Sequence, residues 1–179
     1  AVYSEMEQIG IFTCGNDDVN QLVHNSIWSQ KSNFCDVPTD CPTRERAAWT
    51  GDMGVFAHTG LYLMDAYPVM RKWLAEGRVS QFDDGKIANI APKNNNPSFF
   101  SGLLAGSVGW GDACIIVPYE MYRRYGDTRI LSENYEMMKK WYVFLEERAK
   151  KRPVNPVKRF KRNPYRRYTI ETGVDYGER

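Results

Sequence analysis

Two stretches with helical periodicity are separated by Pro38-Thr39-Asp40-Cys41-Pro42-Thr43-Arg44-Glu45-Arg46-Ala47-Ala48-Trp49-Thr50-Gly51-Asp52. Its prolines and its lack of a helical period are typical of a loop. The last thirteen residues hold three carboxylates, two guanidinium groups and one indole. This mixture suits a sugar, because carboxylates and arginines bond hydroxyl groups and tryptophan covers the apolar face of a pyranose. The alternative interpretation is an ion-paired loop packed over a helix end.

The helical patterns on either side of this loop predict a first helix and then a helical hairpin. Asn16, Asp17 and Asp18 offer N-caps for a first helix of about 16 residues. The period returns from about Asp52, and another short helix starts at residues 68–74. The periodic faces consist of Val19, Leu22, Val23, Ser26 and Ile27 in the first helix and of Val55, Phe56, Thr59 and Leu63 in the second.

Residues 85–109 have no sustained period and predict a long irregular loop, the kind of segment that often builds sites. The loop ends at Gly109-Trp110-Gly111-Asp112-Ala113, which opens a helix and sets an indole beside a carboxylate. A capping aspartate beside a buried tryptophan is the alternative. Gly126 suits a C-terminal cap for this helix.

Two further apolar patterns complete the helical part of the chain. The helix after Asp112 carries Ile115, Ile116, Tyr119 and Tyr122 on one side. A last helix, at residues 128–150, is expected to turn Leu131, Tyr135, Met138, Trp141 and Leu145 inward. Strand alternation is confined to residues 167–170, so the predicted class is all-α, built of antiparallel helical hairpins.

Composition excludes several other classes of protein. The chain has 179 residues, of which 42% are hydrophobic, a composition typical of about one globular domain. No apolar run reaches the roughly 18 residues of a membrane span, so no membrane partner is expected. The first ten residues lack the pattern of a signal peptide and predict no compartment. Four irregularly spaced cysteines and two histidines predict neither a disulfide scaffold nor a metal site, and no cofactor is expected.

The net charge of +2 conceals a strong asymmetry along the chain. Residues 150–167 hold nine basic side chains and no acidic one, which leaves 15 basic against 22 acidic residues elsewhere. Because this basic run contains three prolines and few aromatic residues, it predicts a solvated or partner-facing connecting segment and not a nucleic-acid site.

The order of motifs resembles the α-L-rhamnosidases of glycoside hydrolase family 78. The resemblance covers residues 5–142, and its most specific part is the Asp-Cys-Pro-x-Arg-Glu-Arg-x-x-Trp-Thr-Gly-Asp run. It implies a catalytic domain of six helical hairpins closed in an (α/α)6 barrel. The matching segments are residues 26–34, 36–42, 44–46, 49–52, Gln81, residues 109–113 and residues 125–127.

The resemblance also implies roles for individual residues. Glu45 would be the general acid, while Asp40, Arg44, Trp49 and Asp52 would line the subsite for rhamnose. Trp110 and Asp112 would complete its wall. The implied reaction releases terminal α-L-rhamnose from an oligosaccharide, polysaccharide or plant glycoside with inversion, and no base is assigned within the chain.

The expected domain organisation follows from counting helices against the six hairpins of the family. Residues 1–15 would be an entry segment from a preceding domain, residues 16–150 the first half of the barrel, and residues 151–179 the basic connection to the missing half. A half barrel exposes apolar helix faces, so the chain is expected to be inactive alone and to need the rest of the domain or another copy. Glu178 is a further site candidate, with a frayed terminus as its alternative.

The sequence is also compatible with two other functions. A fragment or carbohydrate-binding module would keep the aromatic and acidic pocket while lacking a base. A lyase, or a hydrolase of another sugar, could use the same helical barrel, because fold does not determine substrate.

Overall fold

A computed structural model describes residues 3–93 and 105–150, which form six α-helices and one short β-hairpin. The elements are α1 (Asp17–Asn33), β1 (Phe34–Cys35), β2 (Val37–Pro38), α2 (Thr50–Leu63), α3 (Tyr67–Ser80), α4 (Val108–Gly111), α5 (Ala113–Tyr125) and α6 (Arg129–Lys150). The all-α class is confirmed, with the antiparallel β1–β2 pair as an addition. The predictions for residues 94–104, the basic run beyond residue 150, the strand at 167–170 and Glu178 lie outside the described residues.

The helix boundaries follow the local signals in the sequence. The Asn16 side chain accepts the backbone N–H groups of Asp18 and Val19 at 2.9 and 3.3 Å, so it caps α1 as predicted. Gly126 adopts φ 69° after α5, the left-handed conformation that glycine takes at helix ends. Pro68 lies in the first turn of α3, where its missing N–H costs no hydrogen bond.

The core lies where α2 and α5 pack together, with α3 and α6 against them. Small residues face each other at this contact: a Cβ added to Gly54 would lie 3.4 Å from the Cβ of Ala113, which is ordinary van der Waals contact. The apolar side chains buried by these helices include Met53, Ala57 and Leu61 of α2, Met70, Trp73 and Leu74 of α3, Val117 and Met121 of α5, and Ile130, Met137 and Trp141 of α6.

One predicted inward position is wrong, and two residues of the predicted periodic faces are exposed. Tyr135 of α6 is 59% exposed, whereas Trp141 is buried as predicted. The buried face of α6 runs through Ile130, Asn134, Met137 and Trp141, one position away from Tyr135. Val55 of α2 is 84% exposed because the contact with α5 uses the small residues on the other side of α2, and Leu22 of α1 is 63% exposed.

Hydrogen bonds to distant segments hold the chain on both sides of the loop between β2 and α2. Before it, in the β1–β2 turn, the Asp36 N–H donates to Ser4 Oγ at 3.0 Å, and Lys72 of α3 bonds the Asp36 carboxylate at 2.9 Å. At its end, the Ala91 N–H donates to the Ala48 carbonyl at 3.0 Å, and the Thr50 hydroxyl donates to the Asn89 carbonyl at 3.1 Å. No helix within the described ranges is both long enough and apolar enough to cross a membrane.

Candidate functional site

The loop before α2 is closed by hydrogen bonds between its own residues. The Asp40 N–H donates to the Ala47 carbonyl at 3.0 Å, and the Ala47 N–H donates to Asp40 Oδ1 at 3.0 Å. The Glu45 N–H donates to Cys41 Sγ at 3.2 Å. Arg46 takes φ 51°, a strained conformation for a residue with a Cβ and one that is frequent at functional sites. These contacts set the direction of the Glu45 side chain.

Both carboxylate oxygens of Glu45 accept hydrogen bonds from neighbours in the sequence. Trp49 Nε1 donates to Oε2 at 3.0 Å, and Arg44 Nη2 donates to Oε1 at 2.7 Å. The Arg44 side chain is 83% exposed and that of Glu45 39% exposed. Because an ion pair in water contributes little, the guanidinium can leave Oε1 at small cost.

Three carboxylates and two indoles meet in one cavity. It has a volume of about 270 Å³ and is lined by Asp40, Glu45, Trp49, Asp52 and Trp110. A second cavity of about 620 Å³ shares Asp40, Asp52 and Trp110 with the first and extends to α1. The two cavities thus adjoin the same three side chains beside the start of α2, and they are together called the recess.

The indole of Trp110 reaches this recess because Gly51 lacks a side chain. A Cβ at Gly51 would lie 2.9 Å from both Cδ1 and Nε1 of Trp110, closer than carbon atoms pack. Gly51 and Asp52 are in the first turn of α2, whereas Trp110 belongs to α4. Packing between two distant segments thus places an aromatic wall beside the carboxylates.

The carboxylates of the recess have pKa values shifted in opposite directions. Burial raises the pKa of Asp52, and the negative charges of Asp40 and Glu45 raise it further. Burial also acts to raise the pKa of Asp40, but hydrogen bonds from the Cys41 thiol and the Ala47 N–H outweigh it and lower the pKa. A recess with one carboxyl more basic than another is suited to proton transfer.

Six of the seven predicted site residues come together here. Five of them line the smaller cavity, and Arg44 bonds Glu45 at its edge. Asp112 lies outside the lining of both cavities, because its Oδ1 accepts the indole N–H of Trp141 at 3.0 Å. Burial raises the pKa of Asp112, while this hydrogen bond opposes the rise. The catalytic and binding roles of all seven stay predictions.

The larger cavity includes residues that sequence reasoning did not select. They are Ser29, Gln30, Asn33, Phe34, Pro38, Thr39, Gly51, Met53, Val55, Phe56 and Gly109. Gln30 is 2% exposed and donates to the Gly60 carbonyl at 3.1 Å. The available signal was position in the sequence, because Ser29, Gln30, Asn33 and Phe34 lie within residues 26–34, one of the segments on which the resemblance rests.

The described ranges contain no group of three or more His, Cys, Asp or Glu side chains arranged to hold a metal ion.

Comparison with known proteins places this recess in a family context. Residues 7–164 match the profile described as the bacterial α-L-rhamnosidase six-hairpin glycosidase domain. An α-L-rhamnosidase of Formosa agariphila is 42% identical over 149 residues, which are 83% of this chain. One from Streptomyces avermitilis is 39% identical over 132 residues, or 73% of this chain.

Solved structures agree with the sequence comparison. The crystal structure of Streptomyces avermitilis α-L-rhamnosidase complexed with L-rhamnose aligns with a TM-score of 0.75 and 35% identity over 82% of this chain. That of the Aspergillus terreus enzyme aligns with a TM-score of 0.72 and 33% identity over 87% of this chain. The chain spans 15% of the Formosa protein and 14% of the Streptomyces structure.

Proposed function

The chain belongs to the bacterial α-L-rhamnosidase six-hairpin glycosidase family. We propose that it contributes the general acid and the sugar-binding residues of an active site that hydrolyses terminal α-L-rhamnosides. Glu45 is the proposed general acid, and Asp40, Arg44, Trp49, Asp52 and Trp110 form the proposed rhamnose subsite. The observation that carries the proposal is the meeting of three carboxylates and two indoles in one cavity of about 270 Å³.

The hydrogen bonds of Glu45 indicate which oxygen delivers the proposed proton. Trp49 Nε1 can only donate, so it keeps Oε2 as an acceptor. Arg44 also only donates, so Oε1, which it contacts at 2.7 Å, is an acceptor as long as this pair persists. When the exposed guanidinium turns to a substrate hydroxyl, Oε1 can take up a proton from solvent and transfer it to the departing glycosidic oxygen, which leaves Glu45 as a carboxylate.

The remaining residues of the cavity match the surface of a deoxy sugar. Indoles such as Trp49 and Trp110 cover C–H faces of a pyranose ring. Asp40, ionised because its pKa is lowered, accepts hydrogen bonds from hydroxyls. The Streptomyces relative was solved in complex with L-rhamnose, which supports the same sugar for this chain.

The proposed reaction is a single displacement with inversion. In that reaction a second carboxylate, roughly 6.5 to 9.5 Å from the acid, activates a water on the opposite face of the sugar. We assign no such base among residues 3–93 and 105–150. Asp52 is proposed to bind sugar, because a carboxyl whose pKa is raised by burial suits a shared hydrogen bond with a hydroxyl.

The test is release of L-rhamnose from an aryl α-L-rhamnoside by the natural gene product that carries this sequence. Glu45→Gln keeps the shape of the side chain but has no transferable proton, so turnover should fall by about 10² to 10⁴-fold. L-rhamnose binding, measured by calorimetry, should persist. Nuclear magnetic resonance of the first-formed sugar should show the inverted anomer.

Glu76→Gln is the matched control. The Glu76 side chain is 37% exposed and contacts Lys72 at 3.8 Å, so its exposure and ionic partner resemble those of Glu45. Glu76→Gln should leave turnover unchanged. Most activity surviving in Glu45→Gln would exclude Glu45 as the acid, and binding of L-rhamnose without hydrolysis by the unaltered protein would indicate a carbohydrate-binding module instead.

A further inference from the structure

Trp141 of α6 is fully buried and lies behind the recess, where it contacts two consecutive residues of the α4–α5 junction. Its Nε1 donates to Asp112 Oδ1 at 3.0 Å. Its six-membered ring lies against Gly111, where an added Cβ would be 2.4 Å from Cζ2. Phe144 stacks on the indole, with ring centroids 5.4 Å apart and planes inclined by 19°. Trp141 therefore fixes this junction in two ways, by the hydrogen bond to Asp112 and by the packing of its ring against Gly111.

The residue immediately before this junction is Trp110, which lines both cavities of the recess. On the side away from the junction, the Trp110 indole packs against α2, where it fills the space that a Cβ on Gly51 would need. Since α4 is only four residues long, its own hydrogen bonds constrain Trp110 weakly. The position of the indole thus depends on Gly51 on one side and on the backbone held by Trp141 on the other.

We propose that Trp141 is a positioning residue for Trp110: through Gly111 and Asp112 it sets how far the Trp110 indole projects into the recess. This inference rests on the proposed function only in taking Trp110 as a wall of the sugar site. It also gives Asp112 a different role from the predicted contact with sugar. The Asp112 carboxylate orients the Trp141 indole by accepting its N–H. Trp141 does not touch the recess in this arrangement.

The first test does not depend on activity. The natural gene product that carries this sequence is labelled with 5-fluorotryptophan, and the Trp110 resonance is identified by its loss in Trp110→Phe. Trp141→Phe removes the N–H donor and part of the ring that contacts Gly111, so the Trp110 fluorine resonance should shift by more than its linewidth. A Trp110 resonance that stays in place would overturn the proposal.

Trp73→Phe is the matched control for loss of a buried indole. Trp73 is 2% exposed, and its Nε1 donates to the Ala91 carbonyl at 3.0 Å, the same bond length as for Trp141. Both variants should lower the melting temperature, but only Trp141→Phe should move the Trp110 resonance. If Trp141→Phe does not fold, Asp112→Ala removes the acceptor while keeping the Trp141 ring, and the same shift is expected.

The second test is a double-mutant cycle on rhamnoside hydrolysis. An aromatic wall that contacts the ground state and the transition state alike acts on KM, so Trp141→Phe should raise KM by about two- to tenfold with little change in kcat. In a Trp110→Ala background, Trp141→Phe should raise KM no further, because the residue through which it acts is gone. Additive effects would contradict positioning through Trp110. Absence of hydrolysis by the unaltered protein would refute the proposed function, while the fluorine resonance would still decide the positioning role.

Discussion

The indole N–H of Trp49 donates to Glu45 Oε2 at 3.0 Å, and Trp49 is also the residue that precedes the first turn of α2. The proposed acid is therefore tied directly to the start of a core helix. Because the two residues are only four positions apart, this link needs no distant contact once the loop is closed. Trp49 thus has two roles, as a wall of the cavity and as the donor that orients the acid.

Trp49→Phe separates these two roles, since phenylalanine keeps an aromatic wall but donates no hydrogen bond. A hydrogen bond to a carboxylate that is partly exposed contributes modestly, so we expect kcat/KM for an aryl α-L-rhamnoside to fall by about tenfold. Trp28→Phe is the control, because Trp28 is 52% exposed on α1. Equal kcat/KM in Trp49→Phe and the unaltered protein would show that the hydrogen bond does not support the acid.

Arg44→Gln should separate stability from binding. The Arg44 side chain is 83% exposed, so breaking its pair with Glu45 should change the free energy of unfolding by less than about 0.5 kcal/mol. Binding of L-rhamnose should weaken, because an amide offers fewer donors than a guanidinium. Urea unfolding and calorimetry measure the two quantities. A large loss of stability with unaltered binding would assign Arg44 to the fold and not to the sugar.

Gly51→Ala and Gly54→Ala form a matched pair on α2. An added Cβ at Gly51 would lie 2.9 Å from the Trp110 indole, whereas at Gly54 its nearest neighbour would be 3.4 Å away. Alanine favours a helix over glycine by about 0.5–1 kcal/mol, so Gly54→Ala should be tolerated or slightly stabilising. Gly51→Ala should displace Trp110 and raise KM, as Michaelis–Menten kinetics would record. Similar KM values for both variants would argue against contact between Gly51 and Trp110.

Tyr125 links α5 to the α2–α3 turn and should make stability sensitive to alkaline pH. Its hydroxyl donates to Asp65 Oδ1 at 2.7 Å; burial first and then this bond to a carboxylate raise the pKa of Tyr125 above its ordinary value of 10.0. Because the pKa of Tyr125 is higher in the folded than in the unfolded state, unfolding releases a proton above pH 10. The stabilisation that the Tyr125 hydroxyl gives to the folded state is therefore complete below pH 10 and decreases as the pH rises above it. In urea unfolding from pH 8 to 11, the advantage of the unaltered protein over Tyr125→Phe should shrink. A constant difference would contradict this linkage.

Local signals predicted much of the fold correctly. Asn16 caps α1, Gly126 ends α5, and α6 occupies Arg129–Lys150 against a predicted 128–150. The inner faces were harder to predict. Val55 matches a helical period yet is exposed, because α2 packs on α5 through the small residues of its other side. Tyr135 is exposed because the buried face of α6 is the neighbouring one, which carries Ile130, Asn134, Met137 and Trp141.

In the candidate site, too, some contacts follow from neighbours in the sequence and others from the packing of helices. Arg44 and Trp49 both bond Glu45 within six positions of the chain, so closing the loop brings the three together. Their residue types left an ion-paired loop open as the alternative, and it was the resemblance that predicted a common site. Trp110 joins them only because α4 packs beside Gly51 of α2. Asp112 has a local pattern similar to theirs, but its carboxylate bonds Trp141 of α6. Hydrogen bonds within a loop depend on sequence spacing, whereas the neighbour of a side chain on a helix depends on which helix packs against it. For that reason the contacts of Glu45 with Arg44 and Trp49 could be expected from sequence spacing, while the packing of Trp110 against Gly51 and the support of the α4–α5 junction by Trp141 were decided only by the assembly of the helices.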